Sequence, residues 1–310
     1  MPEGPEVTRV ARQLNTVVGG SFLNDVEPIS GRYTKKEPIG YSDFIEYLSQ
    51  GDLLIKKVTN KGKFIWWELE HDWFIYSTLG MSGNYKLDSN KHARVKFQVT
   101  NVNKFETNTF NIFYCDSRNF GTLKFVAGTN LLYTKLKSLG PDMLNDPCSI
   151  EEFISIARKQ NKKSIVRFLM DQKHISGVGN IYKSESLFLA RISPFVTVGE
   201  LLDEDLIRLR EAIIKVLKSS FENGGATIQS YSDLYNSHGN YTRFPSNPKE
   251  MLEARDPSRV MVYGQTKDIY GNNVMRASLD DKRTTFYSPT VQCSNSVSYT
   301  HLTLPTILLV

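Results

Sequence analysis

The sequence predicts an α+β chain of more than one domain: a first helix with a β-sandwich, then a helical domain, then a C-terminal β-hairpin. Two observations predict it. Apolar residues fall in short β-branched and aromatic runs up to about residue 126, and the spacing turns helical beyond Gly140-Pro141. The length of 310 residues exceeds the usual span of one hydrophobic core, and a 40% hydrophobic content is enough to fill two.

The elements follow in order. Val7, Val10, Ala11, Leu14 and Val18 recur at helical spacing, and Gly19-Gly20 ends the run. Strands are expected at 53–58, 63–70, 73–80, 93–99, 110–115 and 122–126, with a tight polar turn at His71-Asp72. Helices are expected at 150–159, 163–170, 180–190 and 203–223. The last carries Leu206, Leu209, Ile213, Val216 and Leu217 on one stripe. Residues 224–259, rich in Gly, Ser, Asn and Pro, read as a long loop or linker, a kind of segment that is usually functional or mobile. Residues 260–292 return to β character, as a hairpin turning at Asp280-Asp281. Residues 294–310 match nothing before them and read as a non-native or disordered tail. The expected units are therefore 1–135, a linker 136–149, 150–259, 260–293 and the tail 294–310.

Composition excludes several classes. Cys115, Cys148 and Cys293 are too few and too dispersed for a disulfide framework or a CxxC metal site, and five scattered histidines add no ligand cluster. No metal and no cofactor is expected. The N-terminus lacks an apolar signal core, and no stretch approaches the ~20 apolar residues of a membrane span, so an intracellular protein is expected, in nucleus or cytoplasm. The net charge of +5 suits a nucleic-acid partner, and Lys56-Lys57, Lys61-Gly62-Lys63 and residues 158–163 concentrate it.

The chemistry starts at MPEGPEV. Removal of Met1, which a small second residue permits, leaves Pro2 as a terminal secondary amine with a pKa of roughly 8, reactive near neutral pH. Condensed with a sugar carbonyl carbon, such an amine gives a cationic iminium that acidifies the neighbouring C–H. Glu3 stands beside it as proton donor or acceptor, and Glu6 falls on the same helical face. The same residues also make an ordinary helix start. Lys63, in a basic turn, reads as a phosphate contact or as a solvated lysine. Met81 in LGMSG (79–83), with Arg118 and Phe120 in DSRNFG (116–121), would suit a wedge that fills the gap left by an extruded base. GVGN (177–180) places small residues before a helix beginning at Asn180, where backbone N–H groups can face an anion. Arg283, past the hairpin turn, is a candidate phosphate contact.

In order and approximate spacing, MPEGPEV, KGKF, LGMSG, DSRNFG, LMDQKHISGVGNIYKSE and KRTTFYSP resemble the formamidopyrimidine-DNA glycosylase/endonuclease VIII family. The resemblance covers roughly residues 2–292. It implies a bifunctional DNA glycosylase and AP lyase of base excision repair, a monomer acting on double-stranded DNA with damaged bases or abasic sites. By matching position, Pro2 is the Schiff-base nucleophile, Glu3 the proton shuttle, Glu6 its support and Lys63 a lysine on the phosphate beside the lesion. Met81, Arg118 and Phe120 fill the void and meet the opposite base. Asn180, in a helix–two-turn–helix element, and Arg283 grip the flanking phosphates. The loop 224–259 becomes a lesion-side loop.

The chain departs from the pattern in its hairpin. Many members hold it with four cysteines and zinc, whereas residues 260–292 contain none. This resembles the zincless finger of some members, and leaves the hairpin to packing of Val274, Phe286 and Tyr287. MPEGPEV and the zincless hairpin resemble the endonuclease VIII side, which implies oxidised pyrimidines and hydantoins. GGATIQSYSD (224–233) resembles the formamidopyrimidine side, which implies formamidopyrimidines and 8-oxoguanine. A non-catalytic damaged-DNA-binding protein of the same fold is the alternative from another class.

Overall fold

A computed structural model describes residues 2–102, 106–226, 232–241 and 259–292. The tail 294–310 and most of the loop 224–259 lie outside the described residues.

Helix α1 (Gly4–Val18) buries the expected stripe, with Val7, Val10, Ala11, Leu14 and Val18 all within 1% of full burial. Eight strands follow: β1 (Phe22–Pro28), β2 (Leu53–Lys61), β3 (Phe64–Leu69), β4 (Trp73–Thr78), β5 (Gly83–Lys86), β6 (Ala93–Val102), β7 (Thr107–Asp116) and β8 (Thr122–Ala127). Their hydrogen-bonded order is β5-β7-β6-β1-β2-β3-β4-β8. The β1–β2 junction pairs only Phe22 with Leu54 and Leu23 with Leu53, and the two halves close on each other there. Trp67 of β3 stacks on Phe97 of β6 with ring centroids 5.2 Å apart, and Tyr85 of β5 completes the layer. β6 shows the strict in–out alternation of a half-buried strand.

β3 and β4 are instead buried on both faces. Ile65, Trp67 and Ile75 face the main core, while Phe64, Trp66, Phe74 and Tyr76 pack beneath Leu132 of helix α3 (Thr129–Lys137). That is why these segments read as nearly unbroken apolar runs. β1, β5, α3 and helix α2 (Tyr41–Leu48) are additions to the expected elements. β5 is four residues with Gly and Asn, which carry no strand preference. Its burial comes from outside the sheet, where Asn84 and Lys86 donate to the Ser232 carbonyl and hydroxyl and the Asp233 carbonyl.

The helical unit holds α4 (Ile150–Arg158), α5 (Ile165–Met170), α6 (Asn180–Leu189) and α7 (Asp203–Glu222). Ser149 and Ser164 cap α4 and α5 by accepting the N–H groups of Glu152 and Arg167. Leu206, Leu209, Ile213, Val216 and Leu217 of α7 enter one core with Phe153, Phe168 and Ile181. α1 packs on both β2 and α7, so its first turn lies where the sheet meets the helical unit.

The C-terminal hairpin, β9 (Met275–Ser278) and β10 (Thr284–Tyr287), turns through Asp280 and Asp281 as expected. Phe286 meets Tyr263 at 4.9 Å, and Tyr287 meets Phe195 at 5.1 Å. Polar contacts from α6 add to this packing. Asn180 donates to the Thr284 carbonyl, Ser184 accepts the Phe286 N–H, and Lys183 pairs with Asp281. Glu185 accepts the N–H groups of Met261, Val262 and Tyr263 at 2.6–2.9 Å.

Burial pushes the Glu185 carboxyl up to about 7 from its ordinary 4.5, against the pull of those three donors. Between these values the unfolded chain has lost the proton and the folded chain keeps it, so stability falls as pH rises through the interval. The melting temperature is expected to decline from about pH 5 to pH 7, and Glu185→Gln to flatten that decline. An equally steep profile in the variant assigns the titration to another group.

Candidate active site

The site is assembled around Glu3. Its carboxylate is 1% exposed and accepts the N–H groups of Ile181 at 3.2 Å and Tyr182 at 3.4 Å, in the first turn of α6. A helix N-terminus favours an anion there through free donors and the macrodipole. The sequence expectation left those donors to a phosphate; the structure gives two of them to the protein's own carboxylate. Gly179 makes this approach possible, because a Cβ there would lie 2.2 Å from the Glu3 carboxyl carbon.

Glu6 is buried next to it. It accepts the Glu3 N–H at 2.8 Å, the Ala226 N–H at 2.8 Å and the Tyr182 hydroxyl at 2.5 Å, and that hydroxyl also meets Ser220. Three separated segments thus hold one carboxylate, and Tyr182 and Ser220 are members that sequence reasoning missed. Tyr182 lies within the motif LMDQKHISGVGNIYKSE, but its local spacing carries no sign that its hydroxyl meets Glu6.

Lys63 is brought in by the β2–β3 turn. Gly62 has φ +56° and sits so close to the loop before α6 that a Cβ would lie 2.6 Å from Ser176 Cβ. Its N–H donates to Asp142, whose other oxygen accepts the Leu144 and Asn145 N–H groups. Gly4 N–H donates to the Gly177 carbonyl at 2.9 Å, so chain start, turn and loop are tied together. Burial lowers the Lys63 pKa, and nearby Arg283 lowers it further, while Glu3 and Glu6 oppose the shift. Burial likewise raises the Glu3 pKa, with Glu6 adding to it and Lys63 and the Ile181 N–H opposing. A carboxyl with a raised pKa beside an amine with a lowered one is suited to proton transfer.

Pro2 is buried and lines a cavity of about 770 Å³ with Met81, Asn84, Lys86, Arg118 and Ser232. Met81 and Arg118 come from different turns, and Arg118 Nη1 lies 3.6 Å from Met81 Sδ. Asp116 joins those turns by accepting from the Ser82 hydroxyl and from the Arg118 and Gly121 N–H groups. Met81 is 36% and Phe120 61% exposed, so the apolar groups project outward from a braced base. Arg283 is exposed on the hairpin turn, and its charge reaches Lys63. Asn180, the first residue of α6, commits its side-chain N–H to the Thr284 carbonyl, while its Oδ1 is buried without a partner. Among the described residues no group of His, Cys, Asp or Glu is arranged to hold a metal, and no helix is long and apolar enough to cross a membrane.

The family model for the formamidopyrimidine-DNA glycosylase N-terminal domain matches residues 1–123, and that for the formamidopyrimidine-DNA glycosylase H2TH domain matches residues 139–232. The formamidopyrimidine-DNA glycosylase of Ligilactobacillus salivarius is 33% identical over 247 residues, covering 78% of this chain and 85% of the relative. That of Bacillus licheniformis is 33% identical over 239 residues, covering 74% and 82%. Among solved structures, a Lactococcus lactis glycosylase mutant in complex with Fapy-dG-containing DNA superposes with a TM-score of 0.75 at 26% identity, covering 94% of this chain and all of the other. The wild-type Lactococcus lactis enzyme with an oxidised-pyrimidine-containing DNA gives 0.74 at 26% identity and the same coverage. On these matches the chain belongs to the formamidopyrimidine-DNA glycosylase/endonuclease VIII family.

Proposed function

We propose that this DNA glycosylase and AP lyase of base excision repair works through Pro2, with Glu3, Glu6 and Lys63 completing the catalytic group. The Pro2 nitrogen forms a bond to C1′ of the damaged nucleotide as the N-glycosidic bond breaks. The base departs with that electron pair and takes up a proton. Glu3, whose pKa is raised by burial, supplies a proton to the opening sugar. Loss of the Pro2 N–H proton and cleavage of the C1′–O4′ bond leave the Pro2–C1′ iminium, which acidifies C2′; the C2′ proton is removed as the 3′ phosphate leaves, and removal of the C4′ proton then releases the 5′ phosphate by δ-elimination. The carrying observation is the convergence of Pro2, Glu3, Glu6 and Lys63, from the chain start and the β2–β3 turn, at the head of α6.

Met81, Arg118 and Phe120 fill the space left by the flipped nucleotide, and Arg283 and Asn180 hold the flanking phosphates. Bending and flipping cost several kcal/mol, which these contacts offset, so binding is strongly salt dependent. The hairpin does so without zinc, which the lack of cysteine in residues 260–292 supports. Residues 1–135 act as the catalytic unit and 150–259 with the hairpin 260–293 as the DNA-gripping units, joined by 136–149, and one copy of the chain suffices. The enzyme works inside the cell, where its DNA is.

The lesion range is oxidised pyrimidines, hydantoins and formamidopyrimidines. A second reading, preference for 8-oxoguanine and formamidopyrimidine, rests on the segment 224–233. Single-turnover excision on duplexes carrying thymine glycol, a hydantoin, formamidopyrimidine or 8-oxoguanine separates them. Fastest cutting of the hydantoin supports the first reading, and fastest cutting of 8-oxoguanine overturns it.

A further inference from the structure

The hairpin that carries Arg283 has two four-residue strands, too short to hold an exposed side chain in register unaided. Its turn is nonetheless fixed at one buried point. Asp281 Oδ1 accepts the Arg283 backbone N–H at 3.0 Å, and Asp281 Oδ2 accepts from Lys183 Nζ at 2.5 Å. The Lys183 and Asp281 side chains are 0% and 2% exposed. Lys183 lies on α6, one turn after Asn180 and on the helix whose N-terminus receives Glu3. The neighbouring Asp280 accepts from the Ser164 hydroxyl at 2.6 Å, a second tie to the helical unit.

A buried ion pair is weak evidence for stability, since an apolar pair of similar volume often serves as well. An apolar pair could not accept the Arg283 N–H. The two oxygens of Asp281 do separate things, one pinned to α6 and the other locating Arg283. We infer that Lys183 and Asp281 are positioning residues for Arg283, a charged clamp that sets the hairpin's cation against Lys63 and the phosphate. This inference rests on the proposed contact of Arg283 with DNA. Lys183 donates to Asp281 and Asp281 accepts the Arg283 backbone N–H, while the Lys183 charge is also felt at Glu3 and Arg283; neither side chain touches the reacting atoms.

The test is a double-mutant cycle in the full-length, Met1-processed protein. Asp281→Ala, and Lys183→Met combined with Asp281→Leu, are each made with and without Arg283→Ala. The apolar pair leaves no lone buried charge, and thermal melts establish that each variant is folded. Two quantities are read: the single-turnover excision rate, and the salt dependence of binding to a duplex with a tetrahydrofuran abasic analogue. Arg283→Ala is expected to flatten the slope of log K against log salt by about 0.9, one phosphate contact. The folded clamp variants are expected to flatten it equally and to slow excision on the order of 10-fold to 100-fold. Adding Arg283→Ala to them should change neither quantity, whereas a merely structural role gives additive losses. Asp281→Asn, which keeps an oxygen for the Arg283 N–H, is expected to recover part of the rate. A folded apolar-pair variant with wild-type slope and rate, beside an impaired Arg283→Ala, overturns the clamp alone. An unimpaired Arg283→Ala overturns the DNA contact and the clamp together.

Discussion

Protein that retains residues in front of Pro2, or that carries Pro2→Gly, is expected to bind lesion-containing duplex with near wild-type affinity and to lose base excision. The loss should be on the order of 10³-fold or more, the scale seen when a nucleophile is removed from a site that otherwise persists. The reason is local. Pro2 is buried against a cavity lined by Met81, Lys86 and Arg118, and the Lys86 amine there is committed to Ser232 and Asp233. Lys63, a second amine of the site, has its charge coupled to Glu3, Glu6 and Arg283. Borohydride reduction on an abasic-site oligonucleotide gives the direct reading. Processed protein should be trapped covalently, with the peptide beginning at Pro2 carrying the adduct. Full excision by protein with a blocked N-terminus would remove the assignment.

Gly179→Ala is expected to cost nearly as much without touching a reacting group. The backbone at Gly179 has φ −131° and ψ −163°, extended geometry open to alanine, so the substitution adds no backbone strain. All of its effect comes from the methyl group, built 2.2 Å from Glu3 Cδ and 2.5 Å from both carboxylate oxygens. Either Glu3 leaves the Ile181 and Tyr182 N–H groups or the α6 start shifts away. Each outcome uncouples the proton shuttle from the nucleophile, and removing general acid–base assistance slows such steps by roughly 10²- to 10⁴-fold. Overpacking of this kind costs about 1–3 kcal/mol in stability. Glu3→Gln should match the rate loss with a smaller change in melting temperature. Unchanged excision by Gly179→Ala would mean that Glu3 does not act from the position it occupies at α6.

The sequence made the element types and most of the reactive residues legible. Periodicity located α1, six of the eight sheet strands and the four helices of the C-terminal half, because burial on one face leaves a repeating trace in the chain. It passed over β5, since Gly83, Asn84, Tyr85 and Lys86 have no strand pattern and are buried by residues 232–233, some 150 positions away. The hairpin is a like case. Its apolar residues Phe286 and Tyr287 were visible as packing groups, but its ties to Lys183, Ser184 and Glu185 join polar groups about 80 to 100 residues apart, which no local spacing records.

The site divides the same way. Pro2, Glu3, Glu6 and Lys63 could be named from residue type and local context, because an N-terminal proline beside carboxylates is already suggestive chemistry. Only the tertiary structure decided what each one meets. It gave the α6 donors to Glu3 instead of leaving them for a phosphate, and it enlisted Tyr182 and Ser220 to hold Glu6. Reactivity belongs to a functional group and can be read in one residue. A raised carboxyl pKa, a braced wedge or an aimed arginine depends on the distance between groups, and distance exists only once the chain has folded.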